Sequence, residues 1–295
     1  MNKFKALKGT GGYYVLASMI IYDALIVVLL MLINSYIITM LLKLLLAGCT
    51  LYHIYYILLS INLYYSMDEN KFYINGAYGL RKINFLLNEI DGYSISEGTI
   101  KGLRLSGFGR SSFAYGEFLI NKIGTTRMYV TANKEILYLK VRDMNYAVSP
   151  ENLQQILSFL NSRGINQLEW ETKRNKDLHL YKEKRYSIPF FITSLVTLVI
   201  TLNPFILYLT NKLPSKMPLN FDAAFIPVEF GTGKQFAVNQ AIYGFLNMAI
   251  LFCMYYASFF YARYDKKSGN KFIYGALAIA IVFLIIQLRV LYTFR

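Results

Sequence analysis

Residues 13–60 read YYVLASMIIYDALIVVLLMLI, then NS, then YIITMLLKLLLAGCTLYHIYYILLS, and this run decides the architecture. A helix needs about 20 apolar residues to cross a hydrocarbon core about 30 Å thick. Tyr13–Ile33 and Tyr36–Ser60 both meet that length, with one Asp or Lys apiece, Asp23 and Lys43. Only Asn34 and Ser35 offer a polar pair for a tight hairpin between them. Outward from this hairpin, Ile188–Leu209, Phe236–Tyr261 and Phe272–Tyr292 supply three more candidate spans. Residues 64–186 carry 18 Lys or Arg and 13 Asp or Glu, enough polar chain for one compact domain. The composition agrees: 55% hydrophobic and 16% charged residues, against about 25% charged in globular proteins, exclude a lone water-soluble domain.

Lysine and arginine set the expected orientation, because they gather on the cytoplasmic side of short flanks. Lys3, Lys5 and Lys8 precede the first span, the Asn34 hairpin has no basic residue, and Arg263, Lys266, Lys267 and Lys271 link the last two spans. The N-terminus and the polar domain are therefore expected in the cytoplasm, with residues 210–235 and the C-terminus outside. The first apolar run is too long for a cleaved signal peptide. Leu46-Ala47-Gly48-Cys49 has the form of a lipobox, but it lies far from the N-terminus inside an unbroken apolar run. Cys49 and Cys253 read as buried thiols, with no pairing implied.

Within the polar stretch, short alternating segments punctuated by turn residues predict an antiparallel sheet. Tyr64–Met67, Phe72–Ile74, Ile83–Phe85, Gly92–Ile95, Ile100–Leu105, Ala114–Leu119, Thr126–Thr131 and Ile136–Val141 read as strands, with Asn75-Gly76 among the turns. The period then changes: Ser149 reads as an N-cap, Pro150 as the first helical residue, and Leu153, Ile156, Leu157 and Leu160 as the buried face of a helix ended by Gly164. This order predicts a PH-like β-barrel plugged by one α-helix. The runs Leu103-Arg104-Leu105-Ser106-Gly107-Phe108-Gly109, Tyr115-Gly116-Glu117-Phe118, Met128-Tyr129-Val130-Thr131-Ala132 and Tyr146-Ala147-Val148-Ser149-Pro150-Glu151 resemble the bacterial pleckstrin-homology-like domain family. That resemblance implies a binding or scaffolding module and no catalysis. Lys101, Arg104 and Arg110 are the candidate contacts to a ligand or to lipid headgroups, and the basic run from Arg163 to Arg185 is a candidate membrane anchor.

The segment Leu213-Pro214-Ser215-Lys216-Met217-Pro218-Leu219-Asn220-Phe221-Asp222 resembles the conserved domain of Sdp-immunity-like membrane proteins of bacilli. The sequence departs from that family at Asn220, where it has His, and at Phe225, where it has Gly. Asn220 and Asp222 are the candidate ligand contacts here, against the alternative of a rigid proline-braced turn. Inside the spans, Asp23 and Lys43 lie ten residues either side of Ile33, so equal depth predicts an intramembrane ion pair. Gln240, Gly244 and Asn247 form a small polar stripe suited to helix packing, and Pro204 marks a kink.

The expected organisation is a transmembrane hairpin over residues 1–63, the PH-like domain over 64–164, a basic linker over 165–187, and three spans over 188–295 enclosing an outer loop at 210–235. Only His53 and His179 are available as imidazoles, so no metal or cofactor site and no enzymatic activity are expected. The excess of +14 charges follows the membrane flanks, which argues against nucleic acid. The partners expected are the lipid bilayer and either a cytoplasmic protein or anionic lipid. The function expected is that of an adaptor or regulator, with an outward-facing sensor or toxin-immunity protein as the alternative.

Overall fold

The computed structural model describes residues 2–142, 144–170, 184–262 and 266–294. Its α-helices are α1 (Gly11–Leu32), α2 (Tyr36–Ile61), α3 (Leu153–Ser162), α4 (Lys184–Leu209), α5 (Gly233–Ala262) and α6 (Lys266–Phe294). All but α3 hold a stretch long and apolar enough to cross a membrane, as the sequence predicts. The chain divides into two units, Met1–Asp23 with Gly48–Arg174, and Ala24–Ala47 with Asn175–Arg295.

The first unit holds the strands β1 (Asn2–Lys5), β2 (Tyr64–Met67), β3 (Lys71–Gly76), β4 (Arg81–Leu86), β5 (Ile90–Ser96), β6 (Gly102–Arg110), β7 (Phe113–Ile120), β8 (Gly124–Val130), β9 (Ile136–Val141) and β10 (Met144–Val148). One sheet has the order β1-β2-β3-β4 and the other β5-β9-β10-β8-β7-β6, with β8 and β10 parallel. The expected barrel is therefore not closed, since no ladder joins the two sheets among the described strands. Side-chain packing closes the core in place of a backbone ladder. Phe4, Tyr65, Phe72 and Phe85 of the first sheet meet Phe113, Tyr115, Leu137 and Leu139 of the second, and Leu153, Ile156, Leu157 and Leu160 of α3 join the same cluster. So do Leu59 of α2 and Leu63 just after it.

Three local readings change. Helix α3 starts at Leu153 after Asn152, so Ser149 is not its N-cap and Pro150 is not its first residue. The Ser149 hydroxyl is engaged elsewhere, accepting from the Thr131 backbone N–H at 2.9 Å and lying 3.0 Å from Thr131 Oγ1. Asn75 and Gly76 belong to β3, and the turn falls at Ala77, Tyr78 and Gly79, all with positive φ. The N-terminal lysines precede a membrane helix as expected, but Lys3 and Lys5 also belong to a strand: β1 pairs antiparallel with β2, and Leu7 N–H donates to the Ser149 carbonyl at 2.8 Å.

In the second unit α4, α5 and α6 pack together, with Gln240, Gly244 and Asn247 on the buried face of α5. Pro204 has no N–H to offer the Ile200 carbonyl four residues earlier. Gln287 of α6 takes its place, donating from Nε2 to that carbonyl at 2.8 Å, with Gln240 Oε1 3.3 Å from the same nitrogen. Between α4 and α5 the hairpin β11 (Met217–Phe221) and β12 (Pro227–Gly231) replaces the expected loop. Ala223 N–H donates to Asn34 Oδ1 at 3.0 Å, which puts the two interhelical turns at one end of this unit, as the span count requires.

Candidate functional site

The polar domain and the adjoining ends of α1 and α2 are built as one object. Counting about 20 residues down α2 from Tyr36 ends the hydrocarbon crossing near Tyr56, and Gly12 beside Ser60 puts Leu16 of α1 at that same level. At that level the β6–β7 hairpin lies along both helices. Tyr52 Oη donates to the Gly107 carbonyl at 2.7 Å, Phe108 sits edge-on to His53, and Tyr14 stacks on Phe113 with centroids 5.9 Å apart. The close approach of β6 to β7 requires glycine: Gly107 and Gly116 face each other at positive φ, and a Cβ on Gly116 would stand 2.7 Å from the Gly107 Cα.

Tyr65 ties the two sheets together. Its buried hydroxyl donates to the Tyr129 carbonyl at 2.7 Å and accepts from Ser149 N–H at 3.1 Å, and burial pushes its pKa above the usual phenol value. Burial likewise pushes Tyr129 up to about 12, against the opposing pull of Arg81, whose Nε donates to the Tyr129 hydroxyl at 2.7 Å. Trp170 docks on the second sheet, donating from Nε1 to Asn145 Oδ1 at 2.9 Å. Of the basic linker, Lys173, Arg174, Lys176 and Lys182 lie outside the described residues, as does His179.

Lys101, Arg104 and Arg110 are exposed on or beside the edge strand β6, but they do not converge. Six residues of strand hold Arg104 and Arg110 about 20 Å apart. Arg110 lies over the Tyr14 ring at 4.6 Å, at the start of α1, so it braces the domain on a membrane helix. One concave feature of the domain lies elsewhere, a groove of about 560 Å³ lined by Glu69, Lys71, Leu86, Asn88 and Arg163. Strand β3 fixes its position. The Gly76 end packs against Leu59 and Leu63, and the Lys71 end lies about 17 Å along the strand from it. Beside the groove Asp68 accepts from Tyr73 Oη and from the N–H groups of Asn70 and Lys71, which hold its carboxyl below the usual range.

Asp23 has a partner other than the one expected. Thr50 Oγ1 donates to its Oδ2 at 2.8 Å, and Lys43 forms no ion pair among the described residues. One turn along α2, His53 is buried with Nδ1 2.8 Å from the Cys49 carbonyl. Among the described residues no three His, Cys, Asp or Glu side chains gather as a metal site.

In the β11–β12 hairpin both candidates are engaged within it. Asn220 donates to Glu229, and Asp222 Oδ1 accepts from Ala224 N–H at 2.9 Å and Ile226 N–H at 2.8 Å. Asp222 thus shapes a turn that carries Phe225 at φ 67° onto Phe221, with ring centroids 4.5 Å apart, and under the guanidinium of Arg289. Arg289 also donates to the Tyr36 hydroxyl. The sequence signals no such role for Arg289, five residues from the described end of the last span.

Comparison with known proteins adds a family match and a relative. Residues 63–164 match the family model described as Bacterial PH domain, almost the segment singled out from the sequence. That match does not reach the C-terminal region, where the Sdp-like resemblance lies. No solved structure matches. A protein of Clostridium acetobutylicum, described as uncharacterized, is 38% identical over 259 residues, covering 88% of each chain. With that extent of likeness the chain belongs to the family of this clostridial protein, and its polar insert is a PH-like domain matching the Bacterial PH domain model.

Proposed function

We propose that the protein is a non-enzymatic adaptor or regulator that holds its PH domain against the cytoplasmic leaflet and offers a cytoplasmic protein the groove at the far end of β3. The observation that carries this reading is the shared core: Leu59 and Leu63 at the end of α2 pack with Phe4, Tyr65 and Phe72 of the domain. A domain whose core includes the end of a membrane helix is held at a fixed height, and its distal end is the surface a soluble partner meets first. Lys3, Lys5 and Lys8 before α1, and Lys266, Lys267 and Lys271 in the first turns of α6, support the cytoplasmic side. A photo-crosslinking residue at Asn88, in the full-length protein in cells, should give a discrete protein adduct that is absent when the probe replaces Lys122. Adducts of equal pattern at both positions, or none at Asn88, would reject the partner groove.

The alternative, a sensor or immunity protein acting through the outer hairpin, is favoured by one feature. Ile226, Val228 and Phe230 expose 60%, 64% and 48% of their surface on a two-stranded hairpin. Polar replacement of Val228 and Phe230 separates the readings: it leaves the Asn88 adduct intact if the adaptor reading holds, and abolishes protection against an added toxin if the hairpin is the working surface.

A further inference from the structure

A second groove of about 700 Å³ opens where β1 meets the ends of α1 and α2. Its lower wall carries Lys3, Lys5 and Lys8, and its upper wall is apolar, from Leu16 of α1 and Ile57 and Ile61 of α2. The chemistry changes along the groove in the same sense as the bilayer does. Leu16 and Ile57 lie at the end of the hydrocarbon crossing counted above, and the lysines extend below the helix ends. The three lysines are exposed and form no ion pair among the described residues; Lys3 Nζ lies over the Tyr64 ring at 4.1 Å. Glu151 contributes the one carboxylate of the lining, so the groove keeps an excess of two positive charges.

We propose that this groove binds one anionic phospholipid of the inner leaflet, its phosphate held by Lys3, Lys5 and Lys8 and an acyl chain laid along Leu16 and Ile57. Three features exclude the neighbouring possibilities. A soluble phosphate would leave the exposed Leu16 and Ile61 without cover, a zwitterionic lipid would leave the charge excess unmatched, and a peptide would have to enter the plane of the bilayer to reach Leu16. The strand β1 has a second role in consequence. Its alternation, with Phe4 buried in the core and Lys3 and Lys5 outside, couples lipid occupancy to the first sheet of the domain. This site stands apart from the protein-binding groove; its inner-leaflet assignment rests on the cytoplasmic sidedness proposed above, while the binding test below uses neither that groove nor a partner.

The test uses the delipidated full-length protein in mild detergent and native mass spectrometry, with dioleoyl phosphatidylglycerol, dioleoyl phosphatidylcholine and glycerol phosphate as separate probes. Saturable binding of a single phosphatidylglycerol is expected. Each lysine near an anionic headgroup is worth about fivefold in affinity, so Lys3→Ala, Lys5→Ala and Lys8→Ala together should weaken it about a hundredfold. Glu151→Gln should tighten it, and Ile57→Trp, which fills the apolar part, should weaken it with every charge in place. The same number of charges removed at Lys82, Lys122 and Lys134 should change little. The proposal is overturned if that control weakens binding as much as the groove variant does, if glycerol phosphate binds as well as the lipid, or if phosphatidylcholine binds equally. A gain of affinity in Glu151→Gln guards against misfolding, since a collapsed protein loses binding and does not gain it.

Discussion

Replacing Gln287 by Leu probes the interior of the three-helix unit at a single carbonyl. Gln287 is fully buried, and its Nε2 meets the Ile200 carbonyl at 2.8 Å and Gln240 Oε1 at 3.3 Å. With Pro204 in place no backbone N–H is available to Ile200, so the substitution leaves a buried acceptor unpaired, at a cost of about 1–3 kcal/mol. Hydrogen bonds between membrane helices average about 0.6 kcal/mol and reach about 1.7. The unpaired carbonyl puts this case at the upper end, and we expect a loss of about 1–2 kcal/mol. The argument is sharpened by Pro204→Ala, which restores an N–H pointing at the same carbonyl. In that background Gln287→Leu removes only the longer contact to Gln240, and its cost should fall by about 1 kcal/mol. Unfolding of the full chain in mixed micelles with rising dodecyl sulfate, followed by circular dichroism, reads all four proteins. Equal costs of Gln287→Leu in the Pro204 and Pro204→Ala backgrounds would refute the division of labour between proline and glutamine.

Two further outcomes follow from the domain. Gly116→Ala places a Cβ 2.5 Å from the Ser106 carbonyl oxygen at φ +117°, and should cost more than about 2 kcal/mol, whereas Gly98→Ala, at φ +81° with open space around it, costs only backbone strain. The emission of Trp170, the one tryptophan, follows the thermal transition of both, and equal midpoints would contradict the Gly107–Gly116 approach. Burial pushes Tyr138 up to about 12, while an unfolded phenol titrates near 10. The raised folded value means that stability is whole below pH 10 and falls between pH 10 and 12, by roughly 3 kcal/mol at most. Tyr138→Phe should flatten part of that alkaline slope in a series of denaturant titrations; an unchanged slope would show that this phenol does not titrate with unfolding.

The spans, the Asn34–Ser35 hairpin, the strands from Tyr64 to Val141 and the buried face of α3 were legible because each repeats a period over enough residues to show it. Strand β1 was not, since four residues ahead of a membrane helix carry lysines that topology alone explains; the alternation Lys3-Phe4-Lys5 was the available signal. Strand β10 follows β9 too closely for its short alternation to stand out, and its parallel pairing with β8 is a long-range contact with no local signature. The non-closed barrel has the same cause, because closure depends on ladders between segments distant in sequence. Depth counting paired Asp23 with Lys43, but Asp23 lies level with Thr50, seven residues farther along α2, or about 10 Å. Counting from a hairpin assumes symmetric helices, and a shift of two turns suffices to exchange one partner for another. The charged trio Lys101, Arg104 and Arg110 was found by type and proximity in sequence, which an extended strand does not preserve in space.

Sidedness is tested most directly by thiol labelling of intact cells. With Cys49 and Cys253 replaced by Ser, a membrane-impermeant maleimide should label Lys216→Cys in the outer hairpin of untreated cells, and should label Lys122→Cys in the PH domain only after the membrane is opened. Labelling of Lys122→Cys from outside would invert the topology and remove both the cytoplasmic partner and the inner-leaflet lipid.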